Sequence, residues 1–219
     1  PVGTFAIRPG ALMASADEFE IVVTGKGGHA AVPHDAIDTT LVAAQIVVSL
    51  QSVVSRTINP LHRVVLTVGT FQTDSSASNI IAHTVRMRGT VRTLENASRA
   101  LAERRIREIA THTAAAFGAT AEVTWEDGYP VTVNHEAETA YAVEAARAVS
   151  PNVIDDAEPI MPAEDFSFML EERPGAYMFL GNGDTAQCHH PAYRFDDDAI
   201  PVGASWFVEL VERRLGAKG

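Results

Sequence analysis

Alternating apolar and polar residues mark four stretches in the first part of the chain, and each stretch predicts a β-strand. In the first stretch Phe19, Ile21 and Val23 alternate with polar residues and precede a run of glycines. The other three predicted strands are residues 64–71, 84–93 and 119–125. In residues 84–93 the arginines lie on the face opposite the apolar side chains, so this strand has one buried face.

Helical segments lie between these strands. The first, residues 38–56, is rich in Leu, Val and Ala and begins at Asp38, a residue type that caps helix N-termini. The second carries one apolar stripe from Ala102 to Phe117, and Gly118 follows it as a typical C-terminal residue. The resulting order, β-α-β-β-α-β, is typical of a ferredoxin-like sandwich.

Beyond Gly128 the pattern predicts shorter and more scattered elements. They are helices at 136–149 and 201–215, a helical turn at 165–171, and strands at 152–155 and 176–180. These pieces are too few to close a sheet of their own. We therefore predict an α/β (α+β) chain in three parts, residues 1–14, 15–127 and 128–219. The first and last parts are expected to belong to one larger α/β domain.

Composition and charge exclude several classes of protein. The chain is 46% hydrophobic and 21% charged, as a globular domain is. Its net charge of −11 argues against a nucleic-acid partner, because phosphate contacts need surplus Lys and Arg. No apolar run is long enough to span a membrane. The single cysteine, Cys188, provides no disulfide framework and fits a cytoplasmic location. Since Pro1 begins the sequence, we also expect a truncated chain or a fragment.

The motif Cys188-His189-His190 is a candidate metal-binding segment, because neutral imidazole binds Zn²⁺, Mn²⁺ and Co²⁺. Neighbouring residues of an extended chain point in opposite directions, so only one histidine would face a given metal. A solvated histidine pair is the alternative interpretation. Cys188 is either a soft ligand or, as we expect, a buried inert thiol.

A second candidate is the glycine-rich segment from Gly25 to His34. Glycines let the backbone approach another chain or a ligand closely. His29 follows the first predicted strand, where its ring could donate a hydrogen bond to a developing oxyanion. The alternative is a turn that carries a surface histidine.

Four further polar residues fit a substrate site less specifically. Asn79 could bind a carbonyl or carboxylate, and Arg92 could hold a carboxylate with two parallel hydrogen bonds. A turn asparagine and a solvated arginine are the plainer interpretations. Glu164 and Asp165 could support a metal site, although an aspartate that caps a helix explains them as well.

Taken jointly, the motifs resemble a known family. The chain contains, in this order, the segments GKGGHAAVPH, SNII, GTVRTLEN, MPAEDFSFML, PGAYMFLGNG and HHPAYRFDDD. This pattern resembles the amidohydrolase branch of the M20 metallopeptidases, which includes hippurate hydrolases and N-acyl-amino-acid amidohydrolases. The resemblance covers essentially the whole chain.

The resemblance implies a domain organisation and an activity. Residues 15–127 would form a ferredoxin-like lid domain that dimerises, and residues 1–14 and 128–219 would belong to a catalytic domain. That domain would hold two divalent metal ions (Zn, Mn, Co or Ni) and hydrolyse the amide bond of N-acyl amino acids or related small amides. A homodimer through the lid is implied as well.

The resemblance also implies roles for single residues. His189 would be a metal ligand, and His29 would reach the partner subunit's active site and polarise the scissile carbonyl. Asn79 would contact the substrate, and Arg92 would bind its carboxylate. Glu164 and Asp165 would lie beside the site.

The sequence departs from the family pattern at several points. The family's other metal ligands and its general-base glutamate lie in an N-terminal half that these residues do not include, so we expect the chain alone to be inactive. Ala82 replaces a common proline, and Pro162 replaces a common glycine. The alternative function is a noncatalytic dimerisation or substrate-binding lid module. A serine hydrolase is disfavoured, because no G-x-S-x-G motif occurs.

Overall fold

The computed structural model describes residues 1–216. Within them the chain forms eleven strands and five α-helices, which confirms the mixed α/β class. The strands are β1 (Phe5–Ala6), β2 (Gly10–Met13), β3 (Ala16–Thr24), β4 (Gly28–His29), β5 (Val64–Thr73), β6 (Ile80–Ile81), β7 (Thr84–Thr93), β8 (Thr120–Tyr129), β9 (Thr132–Asn134), β10 (Val153–Ile154) and β11 (Phe179–Leu180). The helices are α1 (Thr39–Ser52), α2 (Asn96–Ala116), α3 (Glu136–Val149), α4 (Phe166–Glu172) and α5 (Ala199–Leu215).

Contacts between Cα atoms divide the chain into two compact units. The central unit comprises residues 14–131 and 161–164, and the terminal unit comprises residues 1–13, 132–160 and 165–216. The sequence-based division into residues 1–14, 15–127 and 128–219 stays a prediction, because a grouping of contacts does not establish which segments fold or function as domains.

The central unit is built on a four-stranded antiparallel sheet in the order β5-β7-β3-β8. Helix α1 connects β3 to β5, and α2 connects β7 to β8, so the main elements follow the predicted β-α-β-β-α-β order. The core packs Phe19 and Ile21 of β3 against Ile46 of α1 and Ile106 of α2, all of them buried. The role of this unit as a lid and dimerisation domain stays a prediction.

The helix termini of the central unit follow the sequence closely. Asp38 caps α1, because its Oδ1 accepts hydrogen bonds from the backbone N–H groups of Thr40 (3.0 Å) and Leu41 (3.2 Å). The α-helix ends at Ser52, and a π-helical turn continues to Thr57, close to the predicted end at residue 56. Gly118 ends α2 with a φ of +77°, a left-handed conformation that glycine adopts without steric cost.

The terminal unit contains two small sheets. In one, β1 pairs parallel with β10 and antiparallel with β11, and in the other β2 pairs antiparallel with β9. Helices α3 and α5 pack with Phe5 and Ile7 in the main core of the unit. Trp206 of α5 is buried there, and its indole N–H donates to the backbone oxygen of Ala142 at 3.0 Å.

The predicted strands at 152–155 and 176–180 are shorter in the structure, where only β10 and β11 have strand pairing. Buried Asn134 explains why Tyr177 has no strand pairing. Its side-chain amide accepts from the Tyr177 N–H at 2.6 Å and donates to the Tyr177 oxygen at 3.0 Å, so one side chain replaces a neighbouring strand. None of the helices within residues 1–216 is long and apolar enough to cross a membrane.

Candidate functional site

The structure brings His29 and Asn79 together in the central unit. Strand β4 pairs antiparallel with β6, with Gly28 opposite Ile81 and His29 opposite Ile80. The backbone N–H of Ala30 donates to the carbonyl oxygen of Asn79 at 3.0 Å. Two candidates that lie fifty positions apart in the sequence, residues 29 and 79, therefore lie side by side.

The glycines of this segment are required by close backbone approach. A Cβ atom at Gly27 would lie 2.9 Å from the Ile81 carbonyl oxygen, and one at Gly25 would lie 2.9 Å from the Ile37 oxygen. Contacts this short are not tolerated against backbone atoms. The glycines thus let the segment pack closely between β6 and the start of α1. This packing fixes the position of His29.

The His29 ring has a defined hydrogen-bonding role. Its Nδ1 accepts a hydrogen bond from the Ala31 N–H at 3.0 Å, so the neutral ring carries its proton on Nε2. The side chain is exposed. His29 therefore presents an N–H donor to its surroundings, which is the group that an oxyanion or a polarised carbonyl requires.

An open pocket of about 670 Å³ surrounds these side chains. Its lining residues belong to the segments at residues 27–29, 74–75 and 79–83, and they are Gly27, Gly28, His29, Asp74, Ser75, Asn79, Ile80, Ile81 and His83. Sequence reasoning missed Asp74 and His83, for which the only available signal was their proximity to Asn79 in the sequence. The two Asp74 oxygens accept the backbone N–H groups of His83 and Thr84, each at 3.1 Å.

Arg92 lies away from this pocket. Thr84, which adjoins the pocket, and Arg92 are both on β7, and the eight residue steps between them at about 3.3 Å each give about 26 Å. The structure therefore does not bring Arg92 together with His29 and Asn79 within one chain.

The Arg92 guanidinium is nevertheless available for a ligand. The other two β7 arginines of the same sheet face, Arg86 and Arg88, form ion pairs with Glu20 and Glu18 of β3. Arg92 lies opposite Val65 on β5, and its guanidinium has no ion pair or hydrogen bond with the residues that the structure describes. The predicted alternation of β7 is confirmed, because its apolar side chains at positions 85, 87 and 91 are all buried.

The acidic pair lies at the start of a short helix. Asp165 occupies the N-cap position of α4, but its side chain makes no capping hydrogen bond, so the interpretation of Asp165 as a side-chain cap is wrong. Its backbone oxygen accepts from the Phe168 N–H at 3.1 Å instead. Glu164 is half-buried and precedes it. Their place beside an active site stays a prediction.

His189 lies in a turn of the terminal unit and has a φ of +70°, which is rare for a residue with a side chain. The extended conformation assumed for the histidine pair is therefore wrong. The His190 ring accepts from the Ala192 N–H at 3.0 Å, whereas the His189 ring has no hydrogen-bond partner within residues 1–216. Cys188 is exposed, so the prediction of a buried thiol is wrong as well.

The metal-binding capacity of the described chain is limited to separate groups. Among residues 1–216, no three His, Cys, Asp or Glu side chains lie close enough together to hold a metal ion. A protein metal centre usually needs three or four protein ligands. An exposed, unpartnered imidazole fits the role of one ligand, so His189 could complete a centre whose other ligands come from outside these residues.

Comparison with known proteins gives a consistent result. Residues 1–213 match the family described as "Peptidase family M20/M25/M40". An N-acetyl-L-cysteine deacetylase of Bacillus subtilis is 40% identical over 214 residues, which cover 98% of this chain and 51% of that enzyme. An N-acetylcysteine deacetylase of the same organism is 39% identical, with 96% and 55% covered. The chain thus spans about half the length of the curated relatives that it matches.

Solved structures are similar to this chain as well. The YXEP protein of Bacillus subtilis, a dinuclear metal-binding peptidase from the M20 family, is 32% identical with a TM-score of 0.79. The match covers 96% of this chain and 52% of that one. A Staphylococcus aureus tripeptidase shares the fold, with a TM-score of 0.74 at 23% identity and with 97% and 54% covered.

Proposed function

The chain belongs to peptidase family M20/M25/M40, and from this membership we propose that it is part of a metal-dependent amidohydrolase. The proposed reaction is hydrolysis of the amide bond of N-acyl amino acids or related small amides, as in hippurate hydrolases. The two B. subtilis relatives, which are named as deacetylases of N-acetylcysteine, support this substrate class. The absence of a disulfide framework supports a cytoplasmic location.

The observation that carries the proposal is the N–H donor of His29 next to Asn79 in one pocket. In the proposed reaction the His29 Nε2–H donates to the amide carbonyl oxygen as negative charge develops there. The Ala31 N–H holds the ring in the required tautomer. Loss of a comparable oxyanion donor lowers kcat by about 10²–10³.

The proposal assigns one metal ligand to this chain, His189. Two divalent ions, Zn, Mn, Co or Ni, are proposed for the complete centre. When bound, such ions polarise the carbonyl and make a water ligand more acidic. The exposed His189 ring has no competing partner in the described residues and would bind one ion, and Glu164 and Asp165 would lie nearby.

We propose that the functional form is a homodimer through the central unit. Thr84 lies at the edge of the His29 pocket, and Arg92 lies about 26 Å from Thr84 along β7. This distance is greater than the length of a small N-acyl amino acid. A substrate held by both groups would therefore take His29 and Asn79 from one subunit and Arg92 from the other. The exposed apolar side chains of α1 and the open edge of β5 offer a surface for pairing.

The decisive experiment compares His29→Ala with His34→Ala, a matched change at an exposed histidine of the same segment. Hydrolysis of N-acetyl amino acids is measured on the natively produced protein with each divalent metal, alongside its intact mass and metal content. We expect His29→Ala to lower kcat by about 10²–10³ at unchanged metal content, and His34→Ala to leave it unchanged. Equal activity of both variants would refute the role of His29.

A noncatalytic dimerisation or substrate-binding lid module is the second candidate. It is favoured by the lack of any group of three metal ligands within residues 1–216. Its signature would be binding of N-acyl amino acids with no turnover under any metal, together with an intact mass equal to the 23.5 kDa of this chain. Turnover that depends on added metal would exclude it.

A further inference from the structure

We infer that His83 is a further substrate-contacting residue of the pocket that holds His29 and Asn79, and that it recognises a carboxylate at the far end of the acyl group. This inference rests on the proposed amide hydrolysis, because that reaction places an acyl group beside His29. The first observation is that His83 lines the same pocket as His29 and Asn79.

The His83 imidazole is exposed and has no hydrogen bond or ion pair with any residue that the structure describes. Most other histidines have a partner. These are His34 with Asp35, His62 with Glu95, His135 with Gly175, and His190 with Ala192. His83 therefore differs from them in offering a free ring within a pocket.

The backbone of His83 is fixed from three sides. Its N–H donates to Asp74 Oδ1 at 3.1 Å, and its carbonyl oxygen accepts from the Gly25 N–H at 3.0 Å. A Cβ atom on Gly27 would lie 3.2 Å from the His83 nitrogen, so the glycine segment packs directly against it. A free ring on a fixed backbone is the arrangement that presents a side chain to a ligand.

The position of His83 determines which part of the substrate it meets. His83 is three residues beyond Ile80, the residue opposite His29, so at most about 10 Å of chain separates Ile80 from His83. With the carbonyl at His29 and the amino-acid carboxylate assigned to Arg92 of the other subunit, the acyl group is the part left to meet His83.

The side chains left to meet the acyl end include two that can donate hydrogen bonds. They are Asn79 and His83, since the His29 N–H is assigned to the scissile carbonyl, and the Asp74 oxygens accept the backbone N–H groups of His83 and Thr84. A terminal carboxylate supplies the acceptor oxygens that these donors lack, and hydrogen bonds to charged groups are the stronger ones.

The test is a binding titration of the full chain with N-succinylalanine and N-butanoylalanine, which differ in the end of the acyl group. Metal is removed with a chelator so that binding is read without turnover, and the ring signals of the histidines are followed by NMR. The variants are His83→Ala, His83→Gln, which keeps an N–H donor, and His112→Ala, an exposed histidine on α2 outside the pocket.

We expect the wild-type chain to bind the succinyl ligand at least about tenfold more tightly, with both His29 and His83 signals shifting. His83→Ala should remove that preference, His83→Gln should restore part of it, and His112→Ala should leave it intact. An unchanged preference in His83→Ala, or ligand-induced shifts at His29 without any at His83, would overturn the inference. Failure of the proposed hydrolysis is distinguishable, because the succinyl preference would persist in a protein that never turns over.

Discussion

Replacement of Arg99 tests how the central unit is held together. The carboxylate of Asp17 on β3 is fully buried and accepts two hydrogen bonds from the Arg99 guanidinium, one of them 2.7 Å from Nε to Oδ2. The Gly128 N–H donates a third hydrogen bond to this carboxylate at 3.2 Å. Arg99→Ala therefore removes the cation and two of these three donors from a buried charge.

The expected cost follows from that environment. Removing one partner of a buried ion pair costs about 3–5 kcal/mol. The Arg99 side chain is 21% exposed, so water can reach the vacated space and the lower end, about 3 kcal/mol, is expected. With a urea dependence of about 1.5 kcal/mol per M, the unfolding midpoint should fall by about 2 M.

The assay uses the two tryptophans, one in each unit. Trp125 of β8 stacks on Phe19 in the central unit, with ring centroids 6.5 Å apart, and Trp206 lies in the terminal unit. In a Trp206→Phe background, urea denaturation followed by fluorescence reports the central unit alone.

The matched control is Arg104→Ala on α2. Arg104 is 67% exposed, and its Nε lies 3.8 Å from a Glu108 oxygen, so its loss should cost less than about 0.5 kcal/mol. If the Arg99 and Arg104 variants unfold at the same urea concentration, the buried pair contributes nothing specific and the reasoning is wrong.

Three further changes test the packing and the proposed dimer. Gly27→Ala should cost about 1–3 kcal/mol in urea denaturation and displace His29, because the new Cβ meets a β6 carbonyl. Gly69→Ala should have neither effect, because its new Cβ has no atom closer than 4.0 Å. Ile106→Ala should cost about 2–5 kcal/mol by the same assay, while Leu61→Ala, at an 87% exposed side chain, should be near neutral. Val48→Glu on the exposed face of α1 should abolish self-association in sedimentation velocity at unchanged circular dichroism, and a persisting dimer would contradict that interface.

The regular elements were predictable because their signals are local. Strand β7 begins and ends where the alternation of residues 84–93 predicts, and α3 matches the predicted residues 136–149. Asp38 and Gly118 mark the ends of their helices through their own side-chain and backbone properties. Each of these features depends on a few consecutive residues.

The pocket was not predictable for the opposite reason. Strands β4 and β6 have two residues each, too few to show any period, and they exist because each satisfies the other's backbone groups. Asp74 and His83 become neighbours only because β5 pairs with β7, which places Thr73 opposite Val85, and through the hydrogen bonds that follow from this pairing. The roles proposed for His189 and Arg92 involve groups outside the described chain, which no local pattern in it can encode.

Asn134 has a consequence for the chemical ageing of the protein. Its Nδ2 donates to the carbonyl oxygens of Arg8 and Tyr177, both at 3.0 Å. Deamidation would replace this nitrogen with a carboxylate oxygen and set negative charge against two carbonyls in a buried site. The reaction requires the side-chain carbonyl carbon to reach the next backbone nitrogen, and the hydrogen bonds that hold Asn134 in β9 prevent this approach. The contacts that make Asn134 necessary to the terminal unit thus also shield it from conversion to aspartate.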